Sequence, residues 1–150
     1  MAKEESETAM AVAAELADDR GTITAVVVIE MPAQLPLDAH MLEEEAAGKR
    51  VLEDARAIGS LRGVNVRTRM LRARLAGEAI VAEAKATQAD LVVLRAPRKH
   101  GGSGRKVFGN TVDFVLKHAP CEVWVVREPI PAEPKPVPVA AAGSGGKEHR

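Results

Sequence analysis

The sequence has little of three residue classes that mark particular kinds of protein. A single cysteine, Cys121, excludes an internal disulfide framework. With 2 phenylalanines, 1 tryptophan and no tyrosine, an aromatic platform for stacking single-stranded nucleic acid is not expected. The 21 basic and 21 acidic residues cancel, so the chain lacks the broad positive surface of a duplex-binding protein. We therefore expect no nucleic-acid partner.

Long hydrophobic runs are also missing. No apolar stretch reaches the roughly 18 residues needed to cross a bilayer, and the first residues are too acidic and polar for a signal peptide. The predicted location is therefore the cytoplasm. With 150 residues and 46% hydrophobic content, the chain is long enough for one domain with a buried core.

Four segments have the pattern of β-strands. Thr22 to Ile29 contains an unbroken β-branched run, which predicts a strand buried on both faces. Leu91 to Leu94 and Val123 to Val126 are shorter apolar strands of the same kind. Val64 to Leu71 alternates apolar with polar residues, which predicts a strand with one wet face at a sheet edge.

Helical periodicity fills the intervals between these strands. The predicted helices run from a cap at Ser6 to Ala17, from Asp38 to about Gly59, from Gly77 to Ala89 and from Thr111 to His118. Alternating helices and strands predict an α/β three-layer sandwich, with a mostly parallel sheet covered by helices on both faces.

The folded part is predicted to end near Arg127. Prolines at positions 129, 131, 134, 136 and 138 precede an alanine- and glycine-rich run, and neither composition continues a helix or a central strand. We expect one domain over residues 1–127 and a disordered tail over residues 128–150.

The loop from Arg95 to Phe108 follows a strand and precedes a helix, and it is rich in glycine and basic residues. Gly109 permits close approach of a ligand to the backbone, Asn110 or Thr111 can cap the helix, and the helix N-terminus attracts anions. Arg105 or Lys106 can add positive charge. A phosphate would fit this loop; the alternative is a solvated, flexible connection.

Other candidate groups have structural explanations. The arginines at positions 67, 69, 72 and 74 form either a basic stripe for a partner or the wet face of a strand. Glu43, Glu44 and Glu45 are predicted to solvate a helix exterior. Cys121 is interpreted as a small buried residue, and the four histidines lack the spacing of metal ligands.

The segment from Thr111 to Val126 closely resembles the last helix, Ala-Pro-Cys turn and final strand of the universal stress protein family. The resemblance extends from about Ser6 to Arg127. Val28-Ile29-Glu30-Met31-Pro32 and Phe108-Gly109-Asn110-Thr111-Val112-Asp113 are most similar to the stress-protein-type domains appended to bacterial amino-acid permeases and related transporters. The resemblance to the universal stress protein family implies its adenine nucleotide alpha hydrolase-like fold.

In nucleotide-binding members of that family, one loop wraps the phosphates of ATP. Its motif is Gly-x-x-Gly, then nine residues, then Gly-Ser or Gly-Thr. The same count from Gly109 places Ala96 and Lys99 at the first two glycine positions and Asn110 at the serine position. The spacing is retained and the residues are replaced, so the loop is degenerate. The candidate binding residues for ATP or another adenine nucleotide with magnesium are Ala96, Lys99, Arg105, Lys106, Gly109, Asn110 and Thr111.

The family's sheet begins with a strand for which this sequence has no counterpart. In the family order 3-2-1-4-5 that strand lies in the middle, between those predicted at Thr22 to Ile29 and Leu91 to Leu94. A gap there leaves main-chain donors and acceptors unpaired. Either those two strands pair directly, or another chain fills the gap, or the sequence is a fragment of a longer product.

The resemblance implies a non-catalytic regulatory or interaction module with a degenerate phosphate loop, dimeric through the strand Val123 to Val126. One alternative is a functional ATP-binding stress protein. Another is a cytoplasmic domain of an amino-acid permease or related transporter, with a membrane domain as its partner. No combination of nucleophile, base and oxyanion donor can be assembled from the sequence, so no enzymatic activity is expected.

Overall fold

A computed structural model of the chain describes residues 2–17, 21–96 and 109–127. The predicted tail, residues 128–150, lies outside the described residues, as does most of the glycine-rich loop. The elements in chain order are α1 (Ala2–Ala17), β1 (Ile23–Glu30), α2 (Leu42–Leu61), β2 (Val66–Ala73), α3 (Ala76–Ala86), β3 (Leu91–Arg95), α4 (Gly109–His118) and β4 (Glu122–Val126). None of these helices is long and apolar enough to cross a membrane.

The four strands form two separate parallel pairs. β1 pairs with β2, with Ile23 opposite Val66, and β3 pairs with β4, with Leu91 opposite Glu122. Parallel partners need a crossover connection, which α2 supplies in the first pair and α4 in the second. The predicted α/β class with parallel strands is confirmed.

The sheet is interrupted between β1 and β3. The described residues form two 2-stranded sheets, ordered β1-β2 and β3-β4, with no strand between them. The expectation that β1 and β3 could pair directly is therefore wrong. Both strands belong to one domain but neither is hydrogen-bonded to the other.

Hydrogen bonds at the strand ends show which backbone groups point toward the interruption. The Ile23 N–H donates to Asn65 and the Met31 N–H to Ala73, so odd-numbered residues of β1 face β2. Strand alternation then directs the N–H and C=O of Thr24, Val26 and Val28 away from β2.

In β3 it is the even-numbered residues whose backbone groups face the paired strand. The Ala96 N–H donates to the Val126 carbonyl at 2.8 Å, so Leu94 and Val92 also face β4. Leu91 and Val93 therefore direct their N–H and C=O groups away from β4. Within the part of the chain that the structure describes, each inner strand thus has one edge paired with a strand and one edge without a strand partner.

Helices cover both faces of the strands. α2 packs on β1 and β2, and α1 contacts α2, β1 and β3, so one helix lies over both inner strands. α3 contacts β1 and β2 and packs against α4. The most buried side chains come from these helices and the strand ends, and include Met10, Ala14, Ile29, Met31, Leu52, Val81, Val112 and Val115.

Two helical glycines allow close packing. A Cβ on Gly48 of α2 would lie 2.8 Å from Met70 Cε and 3.1 Å from Val27 Cγ1. A Cβ on Gly77 of α3 would lie 2.9 Å from both Cβ and Cδ1 of Phe114 on α4. These distances are shorter than ordinary van der Waals contact, so the α2–sheet and α3–α4 interfaces both depend on the missing side chain.

Several element boundaries differ from the sequence-based ones. α1 begins at Ala2 rather than after Ser6, and α4 begins at Gly109 rather than Thr111. α2 begins at Leu42 rather than Asp38, because residues before it form turns: the Ala39 N–H donates to the Pro36 carbonyl at 3.1 Å. The Met41 N–H donates to Glu45 Oε1 at 3.3 Å, a reach-back contact that fixes the helix start.

The prediction that the first strand is buried on both faces is wrong. In β1 only Ile29 is buried, and the residues before it are half-buried. Every residue of β3 is half-buried as well. In the described residues each of these two strands has an edge without a strand partner, which is consistent with their partial exposure. The predicted edge position of β2 is confirmed, since in the described residues β2 pairs only with β1, and its predicted wet face carries the exposed Arg67 and Arg69.

We predict that Gly77→Ala lowers the free energy of unfolding by about 1–3 kcal/mol, since the added methyl overpacks the α3–α4 interface. Urea unfolding followed by circular dichroism measures the change. In a Phe114→Ala background, which lacks the Cγ and Cδ1 atoms near the added methyl, Gly77→Ala should cost less stability than it does in wild type. Equal losses in both backgrounds would show that the Phe114 contact is not the cause.

We also predict that Val92→Pro and Val93→Pro differ in stability although each removes a half-buried valine from β3. Proline at position 92 removes an N–H that faces β4, whereas proline at position 93 removes one that faces the open edge. Val92→Pro should therefore be less stable by about 2 kcal/mol or more. Thermal melts of the two variants test this, and equal melting temperatures would contradict the assigned direction of the β3 edges.

Candidate functional site

The predicted phosphate loop leaves the sheet at Ala96, directly after β3. Ala96 is 5% exposed and its N–H is bonded to Val126 of β4. The Ala96 methyl group, which stands where the family pattern has glycine, is therefore packed in the interior. The Ala96 N–H is used in the hydrogen bonding between β3 and β4. Position 96 anchors the loop and offers neither group to a ligand.

The other end of the loop is the N-terminus of α4. Gly109 has φ +83°, a conformation that glycine adopts without the strain a side chain would cause. Asn110 is exposed and Thr111 is half-buried, while Val112 and Val115, at 4% and 0% exposure, anchor the helix in the core. The first N–H groups of a helix lack intrahelical partners and favour an anion.

The basic residues predicted for this site, Lys99, Arg105 and Lys106, lie outside the described residues. The structure thus places Ala96 on one flank of the loop and Gly109, Asn110 and Thr111 on the other. The chemistry available on those flanks is a helix N-terminus with a glycine at its first residue. Lys117 and His118 at the opposite end of α4 complement the helix dipole.

The interruption of the sheet coincides with the place where strand order reverses. In open α/β sheets a ligand binds at the carboxyl ends of the strands, at this switch point. β1 ends there at Glu30 and β3 at Arg95. The Glu30 carboxylate accepts a hydrogen bond from the Ala76 N–H at 3.0 Å, so it caps α3. The crevice is therefore bordered by two strand ends, and the described residues place no strand between them.

A second polar cluster lies at the carboxyl ends of β1 and β2. Arg72 donates to the Ala39 carbonyl at 2.6 Å and also pairs with the Glu45 carboxylate. Arg74 donates to the carbonyls of Met31, at 3.3 Å, and Pro32. Together these two arginines bind the backbone of the loop between β1 and α2 at both of its ends.

This role was missed in the sequence. The sequence pattern groups the four arginines as one set, either a basic stripe for a partner or the wet face of a strand, and the structure divides them. Arg67 is exposed, and Arg69 forms an exposed ion pair with Glu83, with Arg69 Nε 3.2 Å from Glu83 Oε1. Arg72 and Arg74 come where the regular alternation of β2 is broken by Met70-Leu71, which is the signal that could have separated them.

Glu45 also differs from its expected role on a helix exterior. Its side chain is 17% exposed, and it accepts from Met41, pairs with Arg72 and lies 3.7 Å from His40 Nδ1. The hydrogen bond from the Met41 N–H, with the nearby charge of Arg72, holds the pKa of the Glu45 carboxyl below its ordinary value of 4.5. Glu43 and Glu44 are exposed as expected.

The remaining candidate groups offer no reactive centre in the described part of the chain. Cys121 is half-buried, and burial raises the pKa of its thiol, with a smaller contribution from Asp90, which disfavours the nucleophilic thiolate. The described residues contain no cluster of His, Cys, Asp or Glu that could hold a metal ion. A shallow depression between α2 and β2 is lined by Lys49, Leu52, Glu53, Arg56 and Thr68, away from the crevice.

Comparison with known proteins agrees with this geometry. Residues 2–127 match the universal stress protein family. A universal stress protein from Archaeoglobus fulgidus superposes with a TM-score of 0.67 at 23% identity, over 81% of this chain and 88% of that one. No curated protein sequence matches this chain.

Two further structures of the same kind hold nucleotides. The Archaeoglobus fulgidus protein in complex with dAMP has a TM-score of 0.64 at 20% identity, covering 81% of this chain and 86% of that one. A universal stress protein in complex with cAMP has a TM-score of 0.62 at 17% identity, covering 85% of this chain and 91% of that one. At these identities the likeness shows the fold.

We predict that Glu45 contributes stability that depends on pH. Because its pKa is lowered in the folded chain, the contribution is present above pH 4.5 and is lost as the pH falls through the folded value. The stability difference between wild type and Glu45→Gln should therefore be constant near neutral pH and shrink in acid. Urea unfolding at several pH values measures it.

Glu44→Gln, on the exposed side of the same turn, is the matched control for that titration. Its difference from wild type should vary less with pH than that of Glu45→Gln. A Glu45→Gln difference that stays constant down to acid pH would show that Arg72 and Met41 do not bind the ionised carboxylate.

Proposed function

Since the chain belongs to the universal stress protein family, we propose that it is a non-catalytic regulatory module whose adenine-nucleotide site is degenerate. The proposed ligand class is supported by structures of the same fold that are in complex with dAMP and cAMP. The module would act by contact with other proteins in the cytoplasm rather than by turnover of the nucleotide.

The observation that carries this proposal is the interruption of the sheet at the switch point. In open α/β sheets a ligand binds outside the carboxyl ends of the strands, at the switch point, so a strand missing there removes contacts to the ligand. Here the described residues provide β1 and β3 with no strand between them. A ligand in this crevice would lose contacts at its centre, so we expect much weaker binding than an intact site would give.

The phosphate loop supports the same proposal. Lys99 stands at a position where the family pattern has glycine, and a long side chain restricts the approach of a phosphate to the backbone. Ala96 has its N–H bonded to Val126. What remains for a phosphate is the N-terminus of α4 and the positive charge of the loop.

A functional ATP-binding protein is the second candidate, and one observation favours it. α4 begins at Gly109 with a positive φ, followed by an exposed Asn110. The N-terminus of a helix favours a phosphate through its first N–H groups and the helix dipole. If the basic side chains of the loop compensate for the replaced glycines, the site binds ATP with magnesium.

The partner surface that we propose is β4. Its outer edge is unpaired within the described residues, and Trp124 is 42% exposed there, with its Nε1 donating to Glu122 Oε1 at 2.7 Å. Pairing of Val123 to Val126 with a second copy across a two-fold axis would make a homodimer. In a transporter, the same domain would regulate an attached membrane domain.

We predict that magnesium and ATP change the melting temperature very little. For a Kd of about 10 mM, about 1 mM ligand stabilises the folded state by RT ln(1 + 0.1), about 0.06 kcal/mol. The melting temperature should then rise by well under about 1 °C. Differential scanning fluorimetry with magnesium–ATP, AMP and cAMP measures the shift.

Asn110→Asp is the discriminating variant. Aspartate places a favourable negative charge in the first turn of α4, but it repels phosphate. A rise of several degrees in wild type that Asn110→Asp removes would establish the ATP-binding alternative and overturn the degenerate site. No shift in either protein is the expected result.

A further inference from the structure

We propose that the outer edge of β2 binds an extended acidic segment of a partner protein, which adds to the sheet as a further strand. The β2 edge is the outward-facing main chain of Val66, Thr68 and Met70. It adjoins the depression between α2 and β2, which Lys49 and Arg56 help to line. The inference goes beyond the proposed nucleotide site and does not depend on it.

Hydrogen bonds at both ends of β2 show which of its backbone groups face outward. The Ile23 N–H donates to the Asn65 carbonyl and the Met31 N–H to the Ala73 carbonyl, so odd-numbered residues along β2 face β1. Alternation directs the N–H and C=O of the even-numbered residues to the other side. Within the described residues β2 pairs only with β1, so these outward groups are available to an added strand.

The depression beside this edge has the size of a site for a side chain. It is lined by the buried Leu52, the half-buried Thr68 and the exposed Lys49, Glu53 and Arg56. Its volume of about 210 Å³ lies below the roughly 300–1,000 Å³ of small-molecule sites. A residue paired opposite Thr68 projects its side chain from the same face of the sheet, so the depression suits one apolar side chain of an added strand.

The other face of β2 carries positive charge next to the edge. Arg69 is paired with Glu83 of α3, and Arg67 lies on the same face because side chains alternate along a strand. Arg67 is exposed and takes part in none of the ion pairs of the described residues. Opposite charges across a pair of strands attract each other, so a carboxylate opposite Arg67 is favoured.

The same charges disfavour a second copy as the occupant. Two β2 edges paired across a two-fold axis would place Arg67 and Arg69 of both copies on one face, where like charges repel. On the α2 side, the positive charges of Lys49 and Arg56 outnumber the negative charge of Glu53. Cations on an edge strand oppose its pairing with an identical edge, whereas an acidic strand from another protein complements them.

These features determine the pattern of the partner segment. It has acidic residues opposite Arg67 and Arg69 and an apolar residue between them, opposite Thr68. It lacks proline wherever its N–H groups face β2. The test peptide, acetyl-Glu-Thr-Glu-Val-Glu-Thr-Glu-amide, has this pattern and is the same in both directions, so it presents these side chains to either a parallel or an antiparallel pairing.

We expect this acidic peptide to bind the full chain in nuclear magnetic resonance titrations without nucleotide. Binding should slow amide hydrogen exchange at Thr68 and Met70, whose N–H groups face outward, and change it little at Arg67 and Arg69, whose N–H groups face β1. The charge-reversed peptide, acetyl-Lys-Thr-Lys-Val-Lys-Thr-Lys-amide, should bind at least tenfold more weakly. No binding by the acidic peptide, or equal binding by the two peptides, would overturn the proposal.

Two N-methylated versions of the acidic peptide test whether it bonds as an edge strand. One carries N-methyl groups on its threonines and valine, and the other on its two inner glutamates. Successive residues of a strand direct their N–H groups to opposite sides, so only one set faces β2. One version should lose affinity at least tenfold while the other stays within about twofold. Loss in both versions, or in neither, would overturn the proposal.

Charge-reversal variants of the chain test the position of the bound peptide. Arg56→Glu, beside the depression, and Arg67→Glu, on the other face of β2, should each weaken binding at least tenfold. The matched control is Arg50→Glu, since Arg50 is an exposed residue of α2 that does not line the depression, and it should stay within about twofold. Equal losses in Arg50→Glu and Arg56→Glu would show attraction to the net charge alone and would overturn the proposal.

Exchange in the chain without peptide tests the other possible occupants. Protection of Thr68 and Met70 that rises with the concentration of the chain would assign the edge to a second copy. Protection that is complete at every concentration would assign it to another segment of the same chain. Either result would overturn the proposed partner. Because every measurement is made without nucleotide, a failure here is distinct from a failure of the degenerate-site proposal.

Discussion

A strand between helices needs hydrogen-bonding partners along both of its edges. The rest of this structure depends on which edges of β1 and β3 have such partners. β1 and β3 each satisfy one edge through a parallel neighbour. Their other edges have no strand partner in the described residues. The incomplete burial of both strands and the interrupted crevice are two consequences of the same missing ladder.

Helix packing compensates for part of this deficit. α1 contacts both inner strands, and its Met10 and Ala14 are buried. Gly48 and Gly77 bring α2 against the sheet and α3 against α4 at distances that a methyl group would not allow. The side-chain core is therefore continuous across the domain while the backbone hydrogen bonding is not.

The sequence was sufficient for the order of elements, because β-branched runs and helical periodicity are local signals. The β3–α4–β4 segment was predicted with boundary errors of a few residues. Contacts between segments that are distant in the sequence could not be predicted from it. The start of α2 depends on Glu45, which reaches back to Met41 and also pairs with Arg72 on β2. No local pattern in the sequence specifies that pairing.

The candidate site also has one part that the sequence predicts and another part that it does not. The position of Gly109 at the start of α4 follows from local rules for helix termini. The use of the Ala96 N–H by Val126 depends on which strand lies beside β3, and spacing alone did not reveal it. Lys99, Arg105 and Lys106 lie in a segment without periodicity, so their arrangement could not be derived from pattern at all.

The absence of a ladder between the two sheets also has a mechanical consequence. Hydrogen-bonded strands cannot slide past each other without breaking bonds, whereas packed side chains permit small shear displacements of whole elements. In the described residues, the β1–β2 unit and the β3–β4 unit meet through helices α1, α3 and α4. At the boundary between the two units, one half of the domain can therefore shift against the other without breaking the hydrogen bonds of either strand pair.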